Sequence, residues 1–210
     1  MSKAKTDTEK TADVPSLLAN SRTYAEELGI DLAKNTPSPL FRWLCASLLL
    51  STRISAGLAM AAAKALAENG WTTASKMADA TWEERVRVLN HAGYARYDES
   101  TSTRLADMSE RMIKDYGGDL RKLREAAGRD PQEERKLLKQ FKGIGDVGAD
   151  IFCREMQVAW PELYPFVDKK SLSSAQKLGL ADSEEELAGL VDRAELPRLL
   201  AALIHKELGH

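Results

Sequence analysis

Leu137-Leu138-Lys139-Gln140-Phe141-Lys142-Gly143-Ile144-Gly145-Asp146-Val147-Gly148-Ala149-Asp150 is the stretch that decides the fold. Leu137, Leu138 and Phe141 fall at helical spacing before Gly143-Ile144-Gly145, and Ala149, Phe152, Cys153, Met156 and Trp160 continue that spacing after it. Two amphipathic helices therefore meet, over about residues 132–158, at a hairpin too short and too rich in glycine for an ordinary linker. The glycines allow positive φ and leave backbone N–H groups uncovered by Cβ atoms, while Ile144 can plug the turn into the core. N–H groups opening the second helix point outward with the favourable end of its dipole, which suits a phosphate oxygen. Such a turn grips a nucleic-acid backbone and reads no bases. About twenty residues on, past Pro161 and Pro165, stands Asp168, a carboxylate that could serve chemistry, cap the helix beginning near Lys169, or do both.

The composition around this stretch is helical. The chain holds 29 Ala and 28 Leu against 6 Ile and 7 Val in 210 residues, a balance that argues for an all-α fold large enough for one core or two small lobes. Its longest apolar run, about residues 43–50, is cut by Ser51, Thr52 and Arg53, far short of a membrane span. Residues 1–13 are polar and mixed in charge, with no apolar leader core, and are expected to form a disordered tail. These features predict a soluble, cytoplasmic protein. Cys45 and Cys153 lie in apolar helical patterns and read as buried reduced thiols. A net charge of −2 counts against indiscriminate nucleic-acid binding. Locally, Arg135, Lys136, Lys139, Lys142 and Arg154 flank the hairpin and Lys169, Lys170 and Lys177 follow Asp168, although each equally suits a solvated helix face.

Along the chain, the pattern predicts a helix from Pro15 to Leu28 stopped by Gly29, and a second stop at Pro37-Ser38-Pro39. Apolar and Ala-rich helices follow over 40–50 and 55–69, and Thr81 with Glu84 forms a capping box opening another. Leu105, Met108, Met112 and Tyr116 stripe a helix ended by Gly117-Gly118. Asp130-Pro131 starts the helix entering the hairpin. Later helices run from Asp168 to about Lys177, from Ser183, and over 196–208.

The segment from Phe141 to Ala149 resembles the helix-hairpin-helix element of the helix-hairpin-helix-Gly/Pro-Asp superfamily of base-excision DNA glycosylases, the group of endonuclease III. Asp168 stands where that superfamily keeps its catalytic aspartate. The likeness covers about residues 38–178 and implies an all-α, two-lobed fold with a cleft between the lobes. One lobe would be a helical barrel over 40–140, the other 14–39 plus 141–210. It implies an enzyme that flips a damaged or mismatched base out of double-stranded DNA and hydrolyses its N-glycosidic bond, with Asp168 stabilising positive charge on the sugar. Lys142, Gly143, Ile144, Gly145, Val147 and Gly148 would hold the backbone. Residues 48–55 resemble the superfamily's Leu-Leu-Ser-x-Gln-x-x-Asp segment with Arg53 at the glutamine, so Arg53 would enter the space left by the flipped base; otherwise it is a charge complementing a helix C-terminus. His91-Ala92-Gly93-Tyr94-Ala95-Arg96-Tyr97 resembles the family's Gly-x-x-x-x-Lys-Ala loop, which makes Tyr94, Arg96 and Tyr97 candidates to line the base pocket or touch backbone.

Departures from the family pattern refine the expectation. Relatives that also cleave the strand carry a lysine two residues after the second turn glycine; here that position is Val147, which forms no Schiff base, so a monofunctional enzyme without lyase activity is expected. Relatives commonly hold an iron–sulfur cluster on four C-terminal cysteines. None of the residues after Asp168 is cysteine, so no cluster or other metal is expected, and the one ion admitted is a structural monovalent cation at the hairpin. Asp146 should repel phosphate, unless it caps the second helix or helps to bind that cation. It sustains the alternative of a noncatalytic DNA-binding or scaffold protein with the same fold. The expected state is a monomer, cytoplasmic and associated with the nucleoid.

Overall fold

The computed structural model describes residues 13–19 and 21–208. Residues 1–12, most of the expected tail, lie outside the described residues. The chain forms thirteen α-helices among the described residues: α1 Val14–Ala19, α2 Tyr24–Glu27, α3 Pro37–Leu50, α4 Ala56–Glu68, α5 Ala74–Asp79, α6 Trp82–His91, α7 Asp98–Tyr116, α8 Leu120–Ala126, α9 Pro131–Leu138, α10 Asp146–Met156, α11 Lys169–Lys177, α12 Glu184–Ala188 and α13 Leu196–Leu208. Short 3-10 turns cover Leu32–Lys34 and Pro161–Leu163, and no strand occurs among the described residues. Among the described residues no helix is long and apolar enough to cross a membrane.

The chain divides into two compact units, 23–166 and the remainder. This partition differs from the lobes read from sequence. The helix-hairpin-helix belongs with the helices of 40–140, because α10 packs on α3 and the Trp43 indole N–H donates to the Phe152 carbonyl at 3.2 Å.

In the unit 23–166, α3 is the central element. Nine of its 14 residues are buried, including Leu40, Phe41, Trp43, Leu44, Leu48 and Leu49, as expected for a helix apolar on all sides. Each such large side chain contributes about 1.5–3 kcal/mol by leaving water. The prolines do not end a helix here. Pro37 begins α3, where a missing N–H forfeits no internal hydrogen bond. A further difference lies at the N-terminus, where the single helix expected from Pro15 to Leu28 is two. Thr23 breaks the chain and opens α2 with a capping box to Glu26, and the buried Glu155 carboxylate accepts the Tyr24 and Ala25 N–H groups, both at 2.9 Å. The short helices α5 and α8, capped by Thr73 and Asp119, have no counterpart in the sequence reading. Six and seven residues are too few to establish a helical period. The α7 stripe is core as expected, and Tyr116 at its end packs tilted against Phe141, ring centroids 6.1 Å apart.

In the other unit, α13 is the apolar spine. Leu196, Leu199, Leu200, Leu203 and Ile204 are buried, with α1 and α11 packed on the helix. The Ser174 hydroxyl donates to the Leu203 carbonyl at 2.9 Å and fixes α11 to α13.

Candidate nucleic-acid interface and carboxylate site

The hairpin between α9 and α10 uses its two glycines differently. Gly143 sits at φ +100°, and a Cβ there would meet Arg104 Cδ at 2.9 Å and Leu48 Cδ1 at 3.2 Å, so both conformation and space demand glycine. Gly145 has an extended backbone, φ −95° and ψ −162°, and a Cβ there would meet nothing within 4 Å. Its glycine answers no local steric need. As the N-cap of α10 it supplies no side-chain hydrogen bond, which leaves that end of the helix without a covering group. Ile144 between them is buried, its N–H bonded to the Phe141 carbonyl at 2.9 Å. Gly148 is buried where a Cβ would touch Ile144 and Ser51 at 3.5 Å, so the first turn of α10 lies against the loop after α3. Val147, at the lyase-lysine position, is 59% exposed.

The cations around this turn are mostly committed. Arg135 pairs with Asp150 and, at 3.0 Å, with Asp146, which also takes Lys139 at 2.7 Å. Hydrogen bonding from Lys139, then the Arg135 charge, holds the exposed Asp146 carboxyl below its usual range. Lys136 pairs with Glu133, and Lys142 reaches Asp107 on α7 at 2.9 Å. Asp146 is thus not the bare charge feared from sequence, and the neighbouring basic side chains are less available than their number suggests.

Arg53 is exposed in the α3–α4 loop, two residues beyond the Ser51 C-cap of α3, and has no ion pair among the described residues. Tyr94 corrects an expectation. It is fully buried, its hydroxyl donates to the Leu49 carbonyl at 3.1 Å and lies against the Thr52 hydroxyl, so it braces the end of α3 and lines no open pocket. Arg96 is exposed, its guanidinium 5.3 Å from the centre of the Tyr97 ring, and Tyr97 is half-buried against Tyr94.

Asp168, in the other unit, is the N-cap of α11. Its Oδ1 accepts the Lys170 and Ser171 N–H groups at 3.1 and 3.0 Å, and its Oδ2 accepts the Ser171 hydroxyl at 2.6 Å. The residue is 6% exposed, while Lys169 and Lys170 beside it are exposed. The capping role raised from sequence is therefore present. Ser171 is absent from the sequence reading, although an N-cap Asp accepts the N–H three residues on, which brings a Ser hydroxyl at that position within reach of the second carboxylate oxygen.

Cys45 in α3 and Cys153 in α10 are buried free thiols, both pushed up by burial, Cys153 to about 12. Two such cysteines do not fit a cluster held by four thiolates. No group of three or more His, Cys, Asp or Glu able to hold a metal ion occurs among the described residues.

No family model matches the chain, and no curated protein matches it. Solved structures do. A trapped endonuclease III–DNA covalent intermediate, an estranged-adenine complex, superimposes with a TM-score of 0.55 at 18% identity, over 91% of this chain and 80% of that one. A non-covalent endonuclease III–DNA complex gives 0.57 at 17% identity, over 91% and 79%. The chain has the all-helical, helix-hairpin-helix fold of endonuclease III.

Proposed function

We propose that this chain, having the fold of endonuclease III, is a base-excision DNA glycosylase that acts on double-stranded DNA by hydrolysis alone. The observation that carries the reading is Gly145. A glycine required neither by φ nor by packing, at the start of an uncapped helix, is explained by close approach of a ligand backbone to the N–H groups behind it. A phosphate oxygen is the natural acceptor, with Gly143 to Gly148 as the cradle and Arg53 in the adjacent loop as the residue entering the vacated stack.

Asp168 would supply the chemistry. Breaking an N-glycosidic bond builds positive charge on the sugar, so a fixed carboxylate stabilises the transition state more than the neutral ground state. The same group can orient or deprotonate the attacking water. Its three donors hold it in one geometry, which removes reorganisation from that step. Val147 offers no amine, so no covalent sugar adduct forms there. We take the enzyme to work as a monomer without an iron–sulfur cluster.

A second reading, a noncatalytic DNA binder with this fold, draws support from Asp146, which occupies Lys139 and Arg135, and from the net charge of −2.

The test is a panel of duplexes carrying uracil, mismatched thymine, 8-oxoguanine or alkylated bases, with alkali cleavage of any abasic sites. The enzyme releases a base from at least one duplex, Asp168→Asn lowers that rate by about 10²–10³-fold, and borohydride traps no adduct. Binding throughout the panel with no release would leave the noncatalytic reading standing.

A further inference from the structure

We propose that Arg104, on α7, is a strand-anchoring residue that holds a DNA phosphate beside the hairpin, an inference that rests on the DNA-binding reading above. Three observations carry it. Its stem is built into the turn: Arg104 Cδ occupies the space that a side chain at Gly143 would need, next to Leu48, so the position of the guanidinium is tied to the glycine bend itself. Its charge is also uncommitted. Arg135, Lys139, Lys136 and Lys142 are paired with carboxylates, and Arg111, two turns along α7, is bonded to the Gln140 carbonyl and side chain at 2.6 and 2.7 Å and to Asp115. Asp107, the acid one turn from Arg104, is taken by Lys142, and Arg104 itself has no ion pair or hydrogen bond among the described residues. Finally, the residue is half-buried between two segments the reading assigns to DNA. Gly143 lies on one side, and on the other its charge is close enough to act on the Tyr94 phenol, which braces the loop carrying Thr52 and Arg53. A half-buried guanidinium without a counterion is poorly compensated, and a phosphate accepts its fork of donors in two parallel bonds.

The experiment measures binding of the full chain to a labelled duplex carrying a tetrahydrofuran abasic-site analogue, across a salt series. Arg104→Met keeps the stem against Gly143 and removes the charge. It should weaken binding on the order of tenfold at physiological salt and make the slope of log affinity against log salt shallower by about one, the loss of one phosphate contact. Arg104→Lys should keep the wild-type slope. Lys64→Ala, on α4 and paired with Glu68, should change affinity less than about twofold. Wild-type affinity and slope in Arg104→Met overturn the proposal, as does weaker binding at an unchanged slope, which would mark a packing role. If the wild type binds the duplex with this signature but releases no base, the hydrolytic reading fails and Arg104 stands. If the wild type binds no duplex even at low salt, both fall.

Discussion

The N-termini of α10 and α11 each carry an aspartate, and the two are used in opposite ways. At α11 the carboxylate is the cap itself: Asp168 is buried and accepts three hydrogen bonds from the first turn, so the helix end is closed and the side chain fixed. At α10 the cap is a glycine without a side chain. Asp146 sits one residue later, exposed, turned to Lys139 and Arg135. One end satisfies its own donors and holds a charge rigidly; the other leaves donors for an outside acceptor and parks its charge in pairs that water can exchange. A carboxylate that must meet a developing cation benefits from the first arrangement, and a surface that must take and release a strand from the second.

The contrast can be broken at the hairpin glycines, where the largest effect on stability is expected. Gly143→Ala should destabilise by about 1–3 kcal/mol in chemical denaturation, from positive φ and collision with the Arg104 stem. Gly145→Ala should leave stability unchanged or raise it by up to about 1 kcal/mol, yet weaken duplex binding several-fold. Equal stability losses in the two variants would mean that α10 does not begin at an open end.

A third carboxylate sharpens the comparison. Glu134 in α9 is buried like Asp168, but no N–H group of the described residues donates to its carboxyl, which meets the Glu162 carboxyl instead. Burial first, then the neighbouring Glu162, push its carboxyl up to about 8. Glu162 is itself held down to about 2, its burial outweighed by the Arg124 guanidinium. A raised folded pKa means that the native state keeps a proton the unfolded chain has released, so stability should fall as pH rises from about 4.5 to about 8. In Glu134→Gln that decline should flatten; thermal melts at pH 5 and pH 8 read the difference, and parallel declines in both proteins would refute it.

The smallest effect belongs to Asp146→Asn. Its melt should match the wild type, since the Asp146 carboxylate is exposed in both of its pairs, while freeing Lys139, with Arg135 still held by Asp150, should tighten duplex binding about two- to threefold. The Asp146 carboxyl is depressed, so its pairing is complete above the usual aspartate range and is lost only as pH falls through its lowered value. The gain should therefore be constant from pH 5 to pH 8. Weaker binding in the Asn variant would show that Asp146 orders the turn and does not compete with phosphate.

Much of the helical layout was legible. The caps at Thr81, Asp130 and Ser183 and the stops at Gly29 and Gly117 all act as their residue types suggest, because capping and positive φ are local properties. The failures were tertiary. Pro37 reads as a stop and is a start; the Thr23 break depends in part on Glu155, which lies far along the chain; Tyr94 reads as a pocket residue, yet its hydroxyl bonds the Leu49 carbonyl. Arg104 sits on a polar helix face that one sequence cannot tell from a solvated one.

By itself the sequence determined that the chain is helical, that two helices meet at a glycine bend, and that an aspartate opens the helix after Phe166-Val167, since each rests on spacing and backbone freedom within a few residues. Tertiary structure alone decided which charges are already neutralised, which aromatic is sealed in the core, and which of the two turn glycines is sterically required. Those properties depend on which distant side chains arrive within a few ångströms, and neither periodicity nor composition encodes that.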